Sequence, residues 1–355
     1  MDPVFYIHIG IPKTATTTIQ RFFTDHREVL RERGILYPSS VASSDGHSEL
    51  HRALSLAVEP ESVPRMSGLP SRLVGNDVVG MLFDEVASTG AKIIILSAES
   101  LAYMKRPLAL RLALKSYPVR ILLYLRRQDS FLASYYNQII KSRLYAASFE
   151  EFLQQCAENR IAIGQKFSSL ELCDYSRFLD LWAGAFGRSN ILPGIYEDFD
   201  VPNGAAAILE DFANKVGIDI RDLSFPAEDT NPALNAPSVA LKRRVNGLLA
   251  TEQERVFSEV LFMEHGCDRK EGRLSHDQIQ ANVTRRNLIL TQYEESNTTV
   301  AQRYFSGRTR LFDSPGERDP LLPDSCDGDW EHRELAVNMI AQLISRAAAA
   351  PEALN

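Results

Sequence analysis

The chain has little cysteine, and no two cysteines are spaced for a shared metal or a redox pair. Four cysteines are scattered over 355 residues without a C-x-x-C pair: Cys156, Cys173, Cys267 and Cys326. This usage disfavours a disulfide framework and a zinc site, and it fits a reducing intracellular compartment.

Long apolar runs are also absent. No stretch approaches the ~18 apolar residues that a membrane-spanning helix requires. The N-terminus lacks a basic region followed by a long apolar segment, which argues against a cleaved signal peptide. We therefore expect a cytoplasmic protein without membrane insertion.

An excess of positive charge is the third absence. The chain has 39 Lys and Arg against 46 Asp and Glu, a formal net charge of −7. This balance disfavours nucleic acid as a partner and gives no general attraction to anionic membranes. An anion site must therefore be a local concentration of positive charge. With 45% hydrophobic residues, the chain resembles an ordinary globular protein with a large core.

A strand, a tight turn and a helix follow one another at the start of the chain. Val4–Ile9 is a short apolar run typical of a buried strand, and Gly10 and Pro12 end it. Lys13 and several threonines then lead into apolar positions spaced for one helix face. The free N–H groups of such a helix start attract anions, so this segment is typical of a phosphate cradle.

Strands alternating with helices predict a parallel sheet. The apolar runs at 4–9, 92–97, 119–125 and 190–196 are its expected central strands. We predict an α/β, P-loop-like three-layer sandwich with a central parallel sheet flanked by helices, formed by residues 1–216. Residues 217–355 are expected to add a helical C-terminal cap or lid, packed on the core as one continuous domain.

Charged residues follow four of the predicted strands: Lys13, Glu99, Arg126 and the pair Glu197–Asp198. Ligands of open parallel sheets bind at the carboxyl ends of the strands. The pattern therefore predicts that these groups meet at one edge of the sheet.

The loop around Lys13 differs from the P-loop of nucleotide hydrolases, which needs a glycine, four residues, and then Gly-Lys-Ser/Thr. It resembles instead the Pro-Lys-x-Gly-Thr-Thr loop of sulfotransferases, which use 3′-phosphoadenosine 5′-phosphosulfate (PAPS). Pro12, Lys13, Thr16 and Thr17 match that motif, and Ala15 replaces its glycine. The replacement matters little at negative φ and more if the backbone there is left-handed.

A second segment carries the same resemblance. The family binds the 3′-phosphate of PAPS with an arginine at a strand end and a serine eight residues later, a spacing that Arg126 and Ser134 reproduce. Arg127–Gln128 replaces the usual Asn-Pro, a variant associated with bacterial branches. Tyr196–Phe199 also resembles the family's Y-E-D segment. The resemblance thus runs over residues 1–216 and is nearest to bacterial, carbohydrate-sulfotransferase-like members.

The resemblance implies a PAPS-dependent enzyme that sulfates a hydroxyl of a carbohydrate, a glycolipid or another small molecule, without a metal. Lys13 would neutralise the leaving 5′-phosphate of the desulfated product, PAP. The residues implied in binding PAPS are Pro12, Lys13, Thr14, Ala15, Thr16, Thr17, Thr18, Arg126 and Ser134.

Two residues are candidates for the general base that an acceptor hydroxyl requires. Glu99 stands at a strand end, where it could alternatively cap local N–H groups. His47 lies in a predicted flexible loop, where a histidine of near-neutral pKa could serve. The alternative for His47 is an exposed loop residue without a role. His8, inside the first strand, is expected to be a core histidine with a satisfied partner.

Two further functions are compatible with such a core. A nucleotide or small-molecule kinase would need magnesium and a complete Walker-type loop. A non-catalytic nucleotide-binding protein would bind without transfer, and Ala15 is the feature that suggests it. Neither alternative involves nucleic acid.

Overall fold

The computed structural model describes residues 2–43, 46–58, 75–157, 172–199, 204–225, 233–265, 275–323 and 334–348. The chain forms two compact units. The first contains Met1–Arg126, Asp174–Glu228 and Ser296–Phe312, and the second contains Arg127–Cys173, Asp229–Glu295 and Asp313–Asn355. The two units do not meet at a single boundary near residue 216, because residues 127–173 belong to the same unit as the C-terminal helices.

A five-stranded parallel sheet forms the centre of the first unit. Its strands are β1 (Val4–Ile9), β2 (Ile35–Leu36), β3 (Ile93–Ala98), β4 (Val119–Leu125) and β5 (Ile191–Ile195), in the order β2-β3-β1-β4-β5. β1 is central, with His8 paired to Ser97 of β3 and Leu122 of β4. The parallel α/β architecture and its four predicted strands are confirmed, and β2 is a short strand at one edge.

Helices flank this sheet, which explains why its strands read as continuous apolar runs. They are α1 (Thr16–Asp25), α2 (Arg27–Glu32), α3 (Ser48–Val58), α4 (Gly75–Thr89), α5 (Pro107–Ala113), α8 (Tyr175–Phe186) and α9 (Gly204–Val216). Single 3₁₀ turns follow β3 at Glu99–Tyr103 and β5 at Tyr196–Phe199. Phe22 of α1 and Phe212 of α9 share one core cluster with Tyr6 and Tyr124 of the sheet. Burial of these aromatic side chains holds α1 and α9 on that face.

Among its described residues, the second unit contains helices joined by loops and no strand. Its helices are α6 (Gln128–Ser142), α7 (Phe149–Ala157), α10 (Ala236–Asn246), α11 (Glu252–His265), α12 (His276–Thr291) and α14 (Glu334–Ala348), while α13 (Glu294–Tyr304) begins at the boundary of the two units. Asn246 donates to the carbonyl oxygens of Ile140, Arg143 and Tyr145 and so closes the C-terminus of α6. Among the helices that the structure describes, none combines the length and apolar character that a bilayer span needs.

Candidate functional site

The loop between β1 and α1 has an unusual backbone. Lys13 has φ 66° and Ala15 has φ 58°, and they are the two non-glycine residues of positive φ in the described ranges. A left-handed conformation costs about 1–2 kcal/mol for such a residue. At Ala15 the backbone is therefore left-handed, the conformation in which alanine in place of the motif's glycine costs conformational free energy. Strain of this kind is retained mainly at functional sites.

Threonine side chains hold the loop in this shape. Thr14 Oγ1 donates to the carbonyl oxygen of Ile11 at 2.6 Å, and Thr16 Oγ1 contacts the same oxygen at 3.4 Å. A Cβ added at Gly10 would lie 2.5 Å from the Thr16 methyl group, so glycine is required there. Thr14 is fully buried and Thr17 is exposed. Thr14 therefore supports the loop, while Thr17 faces water.

The N-terminus of α1 has no cap from a side chain. The residue in the N-cap position is Ala15, and the first turn contains no acidic residue. The first backbone hydrogen bond of the helix runs from the Ile19 N–H to the Ala15 carbonyl. The preceding N–H groups and the helix dipole together form a suitable site for an anion.

Arg126 lies beside this loop, immediately after β4. Its Nη1 donates to the Lys13 carbonyl at 2.6 Å, although 113 positions separate the two residues. Its guanidinium carbon lies 4.9 Å from the centre of the Tyr196 ring, and the Tyr175 hydroxyl donates to its backbone carbonyl. Its Nε is buried without a hydrogen-bond partner in the described part of the chain. A buried cationic donor left unpaired favours an anionic ligand.

Glu99 begins the 3₁₀ turn after β3. Protein atoms crowd its carboxyl group although the residue is exposed, and this desolvation raises its pKa above the usual range. The charge of Lys13 acts in the opposite direction, which places the two groups within electrostatic reach. The N-cap position of that turn is Ala98, which has no side-chain cap, and Glu99 is an acidic residue in its first turn. A carboxyl group with a raised pKa next to a lysine is suited to proton transfer.

His47 is buried, so the expectation of a flexible loop and a near-neutral pKa was wrong. Its Nε2 donates to the Pro38 carbonyl at 2.9 Å, and its Nδ1 accepts from the Ser97 N–H at 3.0 Å. Burial lowers its pKa to about 4. The His47 N–H also donates to the Ser97 carbonyl at 2.8 Å, which holds this residue against β3. Its two nitrogens are both engaged in fixing the loop, which makes Glu99 the better-supported candidate base.

His8 is a core residue, as expected. Its Nδ1 lies 2.8 Å from the Ser97 hydroxyl, and its ring stands edge-on to Phe212 at 5.6 Å. Its Nε2 has no partner among the described residues, so the expected satisfaction is only partial. Burial lowers its pKa to about 3, which keeps the ring neutral.

Two further predicted site residues, Ser134 and Asp198, lie in different units. Ser134 is half-buried on α6 in the second unit, and its predicted pairing with Arg126 stays a prediction. Asp198 forms an ion pair with Arg308, which gives the 3₁₀ turn after β5 a bracing contact. The side chain of Arg308 is thus held at the first unit's surface.

Sequence reasoning missed a buried charge cluster at the start of α6. Asp129 is fully buried and accepts hydrogen bonds from Arg127 Nε at 2.7 Å and from Arg286 of α12. Arg127 also pairs with Asp319 at 2.8 Å. The members of this cluster are up to 192 positions apart, counted from Arg127 to Asp319, so no local pattern indicates it. It compensates the charges in the interior of the second unit.

No protein-family model matches the chain. It is 28% identical over 198 residues to an uncharacterised protein of Archaeoglobus fulgidus, and the match covers 56% of the chain. The chain spans about half of that relative's length, 49%. Among solved structures, it is similar to a sulfotransferase from Alicyclobacillus acidocaldarius at 15% identity and a TM-score of 0.48, over 86% of this chain and 98% of the other. These similarities are too distant to assign the chain to a family.

Proposed function

We propose that the chain is a sulfotransferase that transfers the sulfuryl group of PAPS to an acceptor hydroxyl. The observation that carries the proposal is the hydrogen bond from Arg126 to the Lys13 carbonyl. It joins the two segments whose residues resemble the phosphosulfate-binding and 3′-phosphate-binding motifs. A chance match of either motif alone would not require this contact.

The residues present fit PAPS, which would supply an activated sulfuryl group and depart as PAP. The uncapped start of α1 and the left-handed loop offer N–H groups to one anionic group. The Nε of Arg126, which has no partner among the described residues, offers a charged donor to a second anionic group. Two anionic subsites fit a nucleotide that carries phosphate at both the 5′ and the 3′ position. Ser134 is proposed to complete the second subsite.

Lys13 is proposed to neutralise the charge that develops on the leaving 5′-phosphate. The backbone N–H groups from Ala15 to Thr18 and the hydroxyls of Thr16 and Thr17 would hold the phosphosulfate in line with the acceptor. Such positioning and charge stabilisation account for most of the catalysis in related group transfers. Lys13 and the helix start supply the positive charge, so the proposed mechanism needs no metal.

Glu99 is proposed to accept the proton of the acceptor hydroxyl. Its raised pKa brings the carboxylate nearer to the range in which a base is effective. The charge of Lys13 acts on the Glu99 carboxylate, which supports a base close to the lysine proposed to neutralise the leaving phosphate. The acceptor class we propose is a carbohydrate, a glycolipid or another small hydroxyl compound.

Calorimetric titration with PAP, without magnesium, tests the proposal. Wild-type protein is expected to bind PAP, and Arg126→Ala is expected to bind it at least ~100-fold more weakly, since charge-assisted hydrogen bonds contribute about 1.5–3 kcal/mol each. Adenosine 5′-monophosphate lacks the 3′-phosphate, so its affinity should change much less in the same variant. Arg33→Ala, which removes an arginine paired with Asp222 at the surface, is the matched control.

Failure of the wild type to bind PAP, together with binding of ATP once magnesium is added, would refute the sulfotransferase and support a kinase. Tight PAP binding without sulfate transfer to any of a panel of hydroxyl acceptors would instead indicate a non-catalytic nucleotide-binding protein.

A further inference from the structure

One segment of this acidic chain contains no acidic residue. Between Glu99 and Asp129 the sequence has no Asp or Glu, whereas the chain as a whole carries a net charge of −7. The segment contains α5 and β4 of the first unit. Four basic residues precede β4 in this segment and a fifth lies on it: Lys105, Arg106, Arg111, Lys115 and Arg120. Positive charge is therefore concentrated in one segment of a chain whose net charge is negative.

Helix α5 presents leucines to water on the face opposite its core contacts. Pro107 and Leu110 are buried, whereas Leu108 is 56% exposed and Leu112 is 61% exposed. Positions four apart lie on one face of a helix, so the two exposed leucines are neighbours. Arg111 has the same spacing from Lys115 in the turn that follows. The outer face of α5 thus combines apolar and basic side chains, as interfacial helices do.

A cleft lies next to this face, at the start of the central strands. It has a volume of about 250 Å³, and Tyr6, Tyr117 and Phe186 line it together with Arg111 and Arg120. Arg111 Nη1 donates to the Leu114 carbonyl at 3.2 Å, and the guanidinium of Arg120 lies 5.9 Å from the Tyr6 ring centre. In the part of the chain that the structure describes, neither arginine forms an ion pair with a carboxylate. Their positive charges are therefore available to an anion.

We propose that α5 and this cleft form a docking surface for an anionic phospholipid bilayer. Arg111 and Arg120 would bind a lipid phosphate in the cleft, and Leu108 and Leu112 would enter the boundary between headgroups and acyl chains. Charge complementarity carries this choice of occupant. Each Lys or Arg near an anionic leaflet strengthens binding by about fivefold, and exposed leucines add the apolar contact that a free anion would not use.

The surface lies at the opposite edge of the sheet from Lys13. The cleft includes Val4 and Val119, the first residues of β1 and β4, whereas Lys13 and Arg126 follow the last residues of these strands. Six or seven residues of extended chain span about 20 Å. A chain docked through α5 would therefore keep its Lys13 edge away from the bilayer. The inference does not depend on the proposed sulfotransferase activity.

Co-sedimentation with vesicles tests the proposal with the full chain. One vesicle preparation contains phosphatidylcholine alone, and the other contains one part phosphatidylglycerol to two parts phosphatidylcholine. We expect binding to the second preparation only, and loss of binding in about 0.5 M salt, where screening is strong. The double variant R111Q/R120Q should partition about 25-fold more weakly, and L108Q/L112Q should also lose binding. Leu288→Gln, at a position that is 64% exposed on α12, and Arg21→Gln on α1 are the matched controls.

Thermal melting establishes that each variant is folded. The proposal is overturned if wild type stays in the supernatant with both preparations, or if R111Q/R120Q and L108Q/L112Q sediment as wild type does. It is also overturned if light scattering shows a wild-type dimer that L108Q/L112Q abolishes, because the leucines would then join two copies of the chain.

Discussion

Replacing Ala15 with glycine is expected to stabilise the first unit. The left-handed backbone at Ala15, with φ 58° and ψ 23°, costs an alanine about 1–2 kcal/mol, and glycine adopts it without this cost. Glycine also raises the entropy of the unfolded chain, which offsets about 0.4–1 kcal/mol of the gain. The free energy of unfolding should therefore rise by about 0.5–1 kcal/mol.

Ala207→Gly is the matched control, since it makes the same chemical change inside helix α9. Glycine in a helix interior lowers stability by about 0.5–1 kcal/mol, so the two variants should shift in opposite directions. Urea unfolding followed by tryptophan fluorescence measures both, because Trp182 is fully buried in the first unit. PAP affinity of Ala15→Gly should be retained or increased.

Equal destabilisation by Ala15→Gly and Ala207→Gly would refute the left-handed backbone at Ala15. Stabilisation with loss of PAP binding would retain the backbone argument but contradict the role of the loop in holding the nucleotide.

Three further predictions concern the site and its supports. Glu99→Gln should reduce turnover about 10²–10⁴-fold while PAP affinity in calorimetry stays near wild type. Because the pKa of Glu99 is raised, the turnover of the wild type should begin to fall on acidification at a pH above the ordinary carboxyl range. If the same loss of turnover at low pH persists in the variant, Glu99 is excluded as the base. Gly10→Ala should lower stability by about 1–3 kcal/mol and weaken PAP binding, since its Cβ would meet Thr16 at 2.5 Å; unchanged melting and binding would contradict the close approach. His8 and His47 have folded-state pKa values of about 3 and about 4, below the ordinary 6.5, so the unfolded chain binds more protons as pH falls from 6.5. Each histidine should therefore lower the free energy of unfolding by up to about 1.4 kcal/mol per pH unit below 6.5, as measured by urea unfolding. His47→Asn should make this dependence of stability on pH shallower.

Much of the fold follows from local patterns that the sequence displays. β1 is an apolar run ended by Gly10 and Pro12, and β4 is one ended by Arg126, so their ends were predicted to the residue. The parallel arrangement then places residues that follow the strands at one edge. This is why the proximity of Lys13 and Arg126 could be predicted although the chain between them is long.

The parts that escaped prediction depend on contacts between distant residues or on backbone dihedrals. Burial of His47 requires Ser97, fifty positions away, and a polar loop sequence contains no sign of that contact. Alanine disfavours positive φ, so the residue type does not indicate the left-handed conformation found at Ala15. The position of Asp129 in a first helical turn suggests an N-terminal capping role, yet its side chain is neutralised by Arg127 and Arg286 instead.

The adjacent residues Arg126 and Arg127 make contacts in different units, which is compatible with the proposed 3′-phosphate subsite despite the departure from Asn-Pro. Arg126 contacts Lys13 and Tyr196 in the first unit. Arg127 is almost fully buried with Asp129 in the second, and Gln128 donates to the Cys173 carbonyl there. The charge added at Arg127 is compensated inside the second unit, so it does not compete with Arg126 for an anion. The replacement therefore adds an anchor for α6 and leaves the arginine of the proposed 3′-phosphate subsite unchanged.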